Sequence, residues 1–147
     1  MPSYQTSSSP GRSGAAGEEL VARWLQQQGW EVLHRRWRCR WGELDIVARR
    51  DRDLAFVEVK TRSRGNWDRG GLDAIDGKKQ EKTILAARSF LGATPELAEC
   101  CCRFDVAIVA NLGRDRASTP PTIALGEPIP LCGYRLVLKD YIESAFS

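Results

Sequence analysis

The chain has 147 residues, which is enough to bury a hydrophobic core and is the length of one domain. Its hydrophobic content of 42% and charged content of 28% are ordinary for a globular protein, and no apolar run approaches the ~20 residues of a membrane span. The N-terminus lacks the pattern of a secretory signal, so we expect a cytoplasmic protein. The net charge is a modest +3.

The first twelve residues, Met1–Arg12, are polar and rich in serine and proline. Such a composition predicts a disordered N-terminal tail. Residues 13–147 contain no internal repeat and no linker-like stretch, and we expect them to form a single domain.

A helix is predicted directly after this tail. Ser13 is a suitable N-cap, and Gly29 is a suitable stop after about Gln28. Glu18 and Glu19 fall in the early turns of this helix, where acidic side chains interact favourably with the helix N-terminus. The alternative is that one of the two reaches a metal site.

Arginines and tryptophans alternate around the next predicted element, a strand over Trp30–Arg38. The basic residues include Arg38 and Arg40, and Trp37 and Trp41 flank these two arginines. Guanidinium groups bind phosphates well, and aromatic rings can stack on exposed bases. The alternative is a solvated arginine surface with the tryptophans in the core; we favour phosphate contacts for the arginines and core positions for the tryptophans.

A β-hairpin is predicted over Gly42–Arg62. Two short apolar runs rich in β-branched residues, Leu44–Ala48 and Leu54–Val59, flank the polar turn Arg50–Asp53.

The register of this hairpin brings two carboxylates together. A tight turn centred between Asp51 and Arg52 places Asp45 opposite Glu58, with Lys60 two residues further along on the same face. Facing like charges destabilise a hairpin, which a fold tolerates more readily when a cation lies between them. Mg²⁺ and similar ions bind through one or two carboxylates and substrate phosphates. The alternative is that Glu58 and Lys60 are solvated residues on an outer face.

A polar loop over Arg64–Gly71 and a second helix follow the hairpin. Asp76 is predicted to cap this helix, which runs to about Leu91. Lys79 and Gln80 lie in its first turns, where cations oppose the helix dipole and therefore suggest a role such as phosphate binding.

The C-terminal third is predicted to hold two strands and a helix. The connector Ala93–Cys102 leads to a buried strand over Arg103–Asn111, and the prolines of Ile123–Leu131 argue against a central strand there. Tyr134–Leu138 is predicted to be the last strand and Asp140–Phe146 a terminal helix. The resulting order, α-β-β-β-α-β-β-α, predicts an α/β fold with a mixed sheet flanked by helices.

Cysteine and histidine chemistry is not favoured by the sequence. The five cysteines form no Cys-x-x-Cys motif and the chain has one histidine, His34, so we expect no zinc site and no disulfide framework. We expect reduced thiols and a structural His34.

Several short motifs together resemble the YraN-like family of predicted endonucleases, which belongs to the PD-(D/E)xK restriction-endonuclease-like superfamily and is similar to archaeal Holliday junction resolvases. The motifs include Gly17-Glu18, Gly42-Glu43-Leu44-Asp45, Phe56-Val-Glu-Val-Lys-Thr-Arg62, Lys79-Gln80 and Arg103-Phe104-Asp105-Val106. The resemblance implies a mixed central sheet of about five strands with helices on it. The stretch Gly65–Asp73 departs from the family pattern, with Trp67-Asp68 where Phe-Gly is common.

The same resemblance implies site residues. Asp45 and Glu58 would bind Mg²⁺ or Mn²⁺, Glu18 would complete the metal cluster, and Lys60 would be the catalytic lysine. The nucleic-acid contacts that we expect come from the basic and amide side chains Arg38, Arg40, Arg62, Lys79 and Gln80.

The sequence therefore favours a metal-dependent DNA endonuclease that acts on structured or branched DNA and does not associate with membranes. A homodimer would suit a junction substrate, because a four-way junction has two-fold symmetry. The alternatives are a non-catalytic nucleic-acid-binding module with a nuclease fold and a scaffold protein that acts through its tryptophans.

Overall fold

A computed structural model describes residues 12–63 and 77–146, which form a six-stranded mixed sheet with a helix on each face. The predicted α/β fold is confirmed, with six strands where about five were expected. In chain order the elements are α1 (Arg12–Gln27), β1 (Glu31–Cys39), β2 (Gly42–Arg50), β3 (Asp53–Ser63), α2 (Gly77–Ala93), a 3-10 turn (Pro95–Leu97), β4 (Cys101–Arg114), β5 (Ile129–Leu131) and β6 (Tyr134–Phe146).

The strand β3 lies inside the sheet, whose strand order is β1-β2-β3-β4-β6-β5. It pairs antiparallel with β2 and parallel with β4, and the remaining neighbours are antiparallel. The hairpin turn is the predicted one, with Arg50 paired to Asp53.

Alternation along β3 divides the core into two layers. Ala55 and Val57 are buried on the face covered by α1, and Leu54 and Phe56 are buried on the face covered by α2. This is the predicted arrangement of side chains, and it places Glu58 and Lys60 on the α2 face by the same alternation.

Phe90 of α2 is the aromatic centre of the second layer. Its ring, which is fully buried, meets those of His34, Trp37 and Phe56 edge-on at centroid distances of 5.4, 5.3 and 5.9 Å. Such edge contacts add about 0.5–1.5 kcal/mol each to the gain from burial. His34 and Trp37 therefore have a packing role, as expected, whereas Trp41 is 38% exposed.

The predicted C-terminal helix is wrong, because Asp140–Phe146 continues the strand β6. Its polar residues favour a helix locally, but Ile142, Ala145 and Phe146 pack on Val106 and Ile108 of β4. Pairing with β4 along most of β6 outweighs the local preference.

Asp105 joins β4 to β6 from inside the sheet. Its carboxylate is fully buried and accepts hydrogen bonds from the Tyr141 hydroxyl (2.6 Å), the Ser144 backbone N–H (2.9 Å) and Arg103 Nε (3.2 Å). Burial, and then Asp105, raise the pKa of Tyr141 far above its usual range, so this phenol remains a donor. Both oxygens of this buried carboxylate are hydrogen-bonded, so the loss of a donor would leave buried charge unsatisfied and destabilise the fold.

The start of α1 also differs from the prediction. Arg12 is helical and Ser13 lies inside the first turn, so Ser13 is not the cap; its Oγ accepts a hydrogen bond from Asn111 Nδ2 at 2.8 Å. Gly29, with a φ of +92°, follows the helix as predicted. The rest of the predicted tail, the loop Arg64–Gly71 and the cap Asp76 lie outside the described residues.

Neither helix in the described ranges is long and apolar enough to cross a membrane.

Candidate metal-binding active site

The hairpin strands separate at one residue, Asp45. The β2–β3 ladder ends at the pair Ile46–Val57, one pair short of the predicted facing of Asp45 and Glu58. Beyond that pair the Val59 backbone N–H donates a hydrogen bond to Asp45 Oδ2 at 2.8 Å. The carboxylate of Asp45 therefore takes the place that a backbone carbonyl of β2 would have in a regular ladder. The carboxylate of Asp45 is thereby fixed in the gap between the two strands.

The neighbouring strand β1 is irregular at the same level. Its pairing with β2 runs from Arg35–Ile46 to Trp37–Leu44 and omits Arg36, whose φ is +54°. Positive φ is uncommon for a residue other than glycine and costs conformational energy. The backbone is thus strained directly beside Asp45.

Glu58 and Lys60 of β3 form one side of the site. Glu58 is buried, and Lys60 Nζ lies 3.5 Å from Glu58 Oε2. Burial lowers the pKa of Lys60, partly offset by Glu58. Sequence reasoning placed these two residues and Asp45 together, and the structure does so.

Asp45 interacts electrostatically with three other carboxyl groups. Its pKa is raised by burial first and then by Glu58, while the Val59 N–H acts in the opposite direction; Glu18 and Glu43 raise it further. Four carboxyl groups therefore share one electrostatic environment at the end of the hairpin.

Glu18 reaches this group from α1. The helix packs closely on β3 because Gly17 has no Cβ: one built there would overlap Oγ1 of Thr61. Glu18 is buried, and burial raises its pKa from 4.5 to about 7, although Arg36 Nε lies 3.2 Å from Oε1 and acts to lower it. The contact with Arg36 is an ion pair without hydrogen-bond geometry, and Oε1 has no hydrogen-bond partner.

Sequence reasoning missed Glu43 as a member of the group. This residue of β2 is partly buried, burial raises its pKa, and its buried Oε2 has no hydrogen-bond partner. The available signal was its spacing of two from Asp45, which places both side chains on one face of a regular strand.

Lys79 of α2 also points to Glu58. Its Nζ lies 3.1 Å from Glu58 Oε2, so two ammonium groups contact one carboxylate. Burial alone would lower the pKa of Lys79, but Glu58 outweighs it and the pKa is raised. The residue predicted to contact phosphate is thus paired to a candidate metal ligand, and Gln80 follows it on α2.

The donor set suits a hard divalent cation. All the candidate ligands supply carboxylate oxygens, and the buried oxygens of Glu18 and Glu43 that lack hydrogen bonds could be satisfied by a cation. Within residues 12–63 and 77–146, no three His, Cys, Asp or Glu side chains are yet grouped tightly enough to hold an ion. Mg²⁺, however, needs only one or two carboxylates beside waters and substrate phosphates, so Asp45 and Glu58 fit it.

A cleft of about 250 Å³ opens beside these carboxylates. Asp45 and Glu43 lie on one side of it, and Lys79 and Lys82 of α2 lie on the other. A phosphate in this cleft would meet two ammonium groups as well as the carboxylates.

The other residues expected to bind nucleic acid lie on β1, in the turn that follows it, and on β3. Arg38 pairs with Glu43 across β1 and β2 and lowers its pKa. Arg40 is exposed, with its guanidinium 4.7 Å from the centre of the Trp41 ring, and Arg62 Nη1 donates to the Thr61 carbonyl at 3.3 Å. All five cysteines are free thiols.

Comparison with known proteins places this chain among proteins without an assigned activity. The model of a family described as "Uncharacterised protein family UPF0102" matches residues 17–109. A UPF0102 protein of Trichodesmium erythraeum is 48% identical over 158 residues, covering 91% of this chain and 88% of that protein. Another, from Synechococcus sp., is 56% identical over 134 residues and covers 90% of this chain and 89% of its own length. A third, from Nostoc sp., is 51% identical over 135 residues, with coverages of 88% and 90%.

Proposed function

The chain belongs to the uncharacterised protein family UPF0102, and we propose that it is a metal-dependent DNA endonuclease that hydrolyses phosphodiester bonds. One observation carries the proposal: Asp45 and Glu58 meet where β2 and β3 separate, with the Lys60 ammonium 3.5 Å from Glu58. The resemblance of the sequence to PD-(D/E)xK nucleases supports the same roles.

Asp45 and Glu58 would hold Mg²⁺ or Mn²⁺, with Glu18 and Glu43 as additional carboxylates on either side. When bound, such a cation supplies stabilisation of negative charge on the phosphate and a water of lowered pKa. The protein's own part is to keep Asp45 in place through the Val59 N–H and to keep Glu18 in place through the close contact of Gly17 with β3.

Lys60 acts at the reacting phosphate. Its lowered pKa and its position beside Glu58 suit a group that orients the attacking water or donates a hydrogen bond to the phosphate oxygens as charge develops. Water adds to phosphorus, the bond from phosphorus to the leaving sugar oxygen breaks, and the proton that the water loses is balanced by one taken up by that oxygen to give a hydroxyl. Lys79 and Lys82, on the α2 side of the cleft, hold the phosphate, while Arg38, Arg40, Arg62 and Gln80 contact the flanking backbone.

The substrate that we propose is structured or branched DNA. This choice rests on the resemblance to junction resolvases, and a homodimer would place two such sites on a two-fold junction.

One observation favours the alternative, a non-catalytic nucleic-acid-binding module with a nuclease fold. Glu58 is already bonded to two lysines, and the described residues form no group of three metal ligands. A module that only binds DNA, however, gains nothing from four carboxylates that face a polyanion, and each of them weakens binding.

A cleavage assay tests the proposal. The purified full-length protein is incubated with linear duplex, single-stranded, flapped and four-way DNA, in Mg²⁺, in Mn²⁺ and in EDTA. We expect cleavage of at least one branched substrate with metal and none in EDTA. If the protein binds DNA tightly but cleaves no substrate with either metal, the nuclease proposal fails and the binding-module alternative takes its place.

A further inference from the structure

A second basic cleft lies away from the candidate metal site, at the far end of β4. It has a volume of about 510 Å³, within the usual range for ligand sites. Four arginines from three separate parts of the chain line it: Arg12, Arg35, Arg114 and Arg116. Among the lining residues that the structure describes, only Glu19 is acidic, so these residues carry a net charge of +3.

The acid groups near this cleft pair with arginines other than Arg12, Arg114 and Arg116. Glu19 accepts hydrogen bonds from Arg23 Nε and Arg35 Nη1, both at 2.7 Å, and these bonds lower its pKa. Asp115, which lies between Arg114 and Arg116 in the chain, accepts from the Ala117 N–H at 3.0 Å and pairs with Arg135 at 3.5 Å.

Three of the guanidinium groups consequently have no carboxylate partner. Among the residues that the structure describes, Arg12 and Arg116 pair with no acid, and Arg114 contacts only the ring of Tyr134, at 5.9 Å from its centre. All three side chains belong to exposed residues that converge on one concave surface. Arginines that are only hydrated at a surface are not stabilised by lying close together, because like charges repel. A planar guanidinium group, in contrast, binds a phosphate through two parallel hydrogen bonds.

The helix α1 connects this cleft to the candidate metal site. Glu18 belongs to the carboxylate group, and the next residue, Glu19, lines the basic cleft. Arg35 bonds to Glu19 and also lowers the pKa of Glu18, so it borders both sites.

The separation along the sheet is set by β4. Ile108 pairs with Lys60, and Arg114 is six residues further along the strand, which is at most about 20 Å at ~3.3 Å per residue. Phosphates of one DNA strand follow each other every ~3.4 Å along the helix axis, so this distance corresponds to about six nucleotides.

From these observations we infer that the arginine cleft binds backbone phosphates of the same nucleic acid, within about six nucleotides of the phosphate at the metal site. The inference rests on the proposed function for the identity of the ligand. It assigns the anchoring of the flanking DNA to Arg12, Arg114 and Arg116, and leaves the chemistry to the carboxylates and Lys60.

Binding titrations test the cleft without any reaction. Wild type and the variants Arg114→Gln and Arg116→Gln are titrated in EDTA against a labelled four-way junction, the proposed kind of substrate, whose arms of about 20 base pairs each extend past the six-nucleotide span. The matched control is Arg88→Gln, which removes the same charge from an exposed position on α2, on the opposite face of the sheet. All three positions are exposed, so folding should be unaffected.

Each cleft variant should lose about 3–10-fold in affinity near 0.1 M salt, and its plot of log affinity against log salt should be shallower by about 0.9. Arg88→Gln should leave both quantities at their wild-type values. Arg114→Lys keeps the charge but not the two-pronged geometry, so it should restore the slope and only part of the affinity.

The outcomes separate this inference from the nuclease assignment. Cleft variants that bind like Arg88→Gln would overturn the phosphate cleft and leave cleavage at the metal site untouched. Cleft variants that bind weakly while the wild type cleaves nothing would sustain the cleft and remove the nuclease. A wild-type protein that binds no DNA would refute both.

Discussion

Gly17 of α1 lies against Thr61 of β3 so closely that a Cβ at position 17 would overlap the Thr61 Oγ1 atom. The next residue of the helix is Glu18, and the residue before Thr61 is Lys60. The contact between the Gly17 backbone and the Thr61 side chain therefore fixes the distance between α1 and β3, and both elements contribute residues to the candidate site.

Gly17→Ala should destabilise the protein by about 1–3 kcal/mol, because the methyl group must displace either Thr61 or the helix. Thr61→Ala in the same chain should recover much of this loss, since only the Thr61 Cβ, 3.3 Å from the added carbon, would remain. Gly92→Ala on α2 is the control: nothing lies within 4 Å of its Cβ position, and alanine favours the helix. Denaturant unfolding of Gly17→Ala, of Thr61→Ala, of the double variant and of the Gly92→Ala control measures the coupling; additive effects would show that the contact is not tight.

Asp45→Asn, Glu58→Gln and Lys60→Ala should each lower the rate of metal-dependent cleavage by at least about 100-fold, the usual effect of removing one group from a preorganised charged site. Asparagine retains an oxygen that can accept from the Val59 N–H, so Asp45→Asn should preserve the backbone. Removing negative charge should leave metal-free DNA binding unchanged or tighter. Glu96→Gln, at an exposed position in the 3-10 turn, is the matched control. Single-turnover cleavage beside a binding titration decides; full activity in Glu58→Gln would remove Glu58 from the site.

Mg²⁺ or Mn²⁺ should raise the thermal midpoint of the wild type whether or not DNA is present. A ligand at 100 times its dissociation constant stabilises the folded state by about 2.7 kcal/mol. Asp45→Asn should lose most of this shift, whereas Glu96→Gln should keep it. Equal metal-induced shifts in wild type and Asp45→Asn would place the ion elsewhere.

The stability of the metal-free protein should depend on the ionisation of Glu18. Its pKa is about 7 in the folded state against an ordinary 4.5, so the folded state binds a proton more tightly than the unfolded state. This contribution is fully present below about 4.5 and is lost as the pH rises to about 7. Glu18→Gln should therefore gain stability relative to wild type across that window.

The adjacent residue supplies the control for this pH dependence. The pKa of Glu19 is lowered by its bonds to Arg23 and Arg35, so its contribution is present above its ordinary pKa and is lost as the pH falls. The difference between Glu19→Gln and wild type should thus change in the opposite direction. Unfolding in EDTA from about pH 3 to about pH 8, a range that covers lowered, ordinary and raised carboxyl pKa values, measures both; parallel curves for the two variants would contradict the assignment.

Tyr141→Phe should cost about 1.5–3 kcal/mol, because the buried Asp105 carboxylate loses its shortest hydrogen bond. The ring contact with Trp24, at a centroid distance of 4.9 Å, is retained in this variant. Tyr134→Phe should change stability by much less, since the Tyr134 hydroxyl bonds to no described residue. If both variants lose a similar amount of stability, the hydrogen bond from the Tyr141 hydroxyl to Asp105 is not what stabilises β6.

The hairpin was predictable because its information is local. A two-residue turn fixes the register, and alternation then assigns Asp45, Glu58 and Lys60 to their positions. The local pattern does not predict that the β2–β3 ladder ends at the pair Ile46–Val57. There the Val59 N–H donates to the Asp45 side chain and not to a backbone carbonyl, and Arg36 on the neighbouring strand β1 has a positive φ.

Other features depend on contacts between distant parts of the chain. The helical prediction for Asp140–Phe146 was wrong because this segment pairs as a strand with β4 and packs on its apolar residues Val106 and Ile108. The basic cleft has no local signal either, because Arg12, Arg35 and Arg114 come together only through the packing of α1 on the sheet. The position of Glu18 was implied by a family resemblance, and its physical basis is the contact of Gly17 with Thr61.

The Val59 amide is also an NMR reporter of the site, and it needs no chemically attached probe. Its proton ends on Asp45 Oδ2, so its NMR resonance should move whenever that carboxylate gains a proton or a cation, even though Val59 itself takes no part in the reaction. One backbone cross-peak can thus follow occupancy of the site in the intact, unmodified protein, and can do so in the absence of DNA.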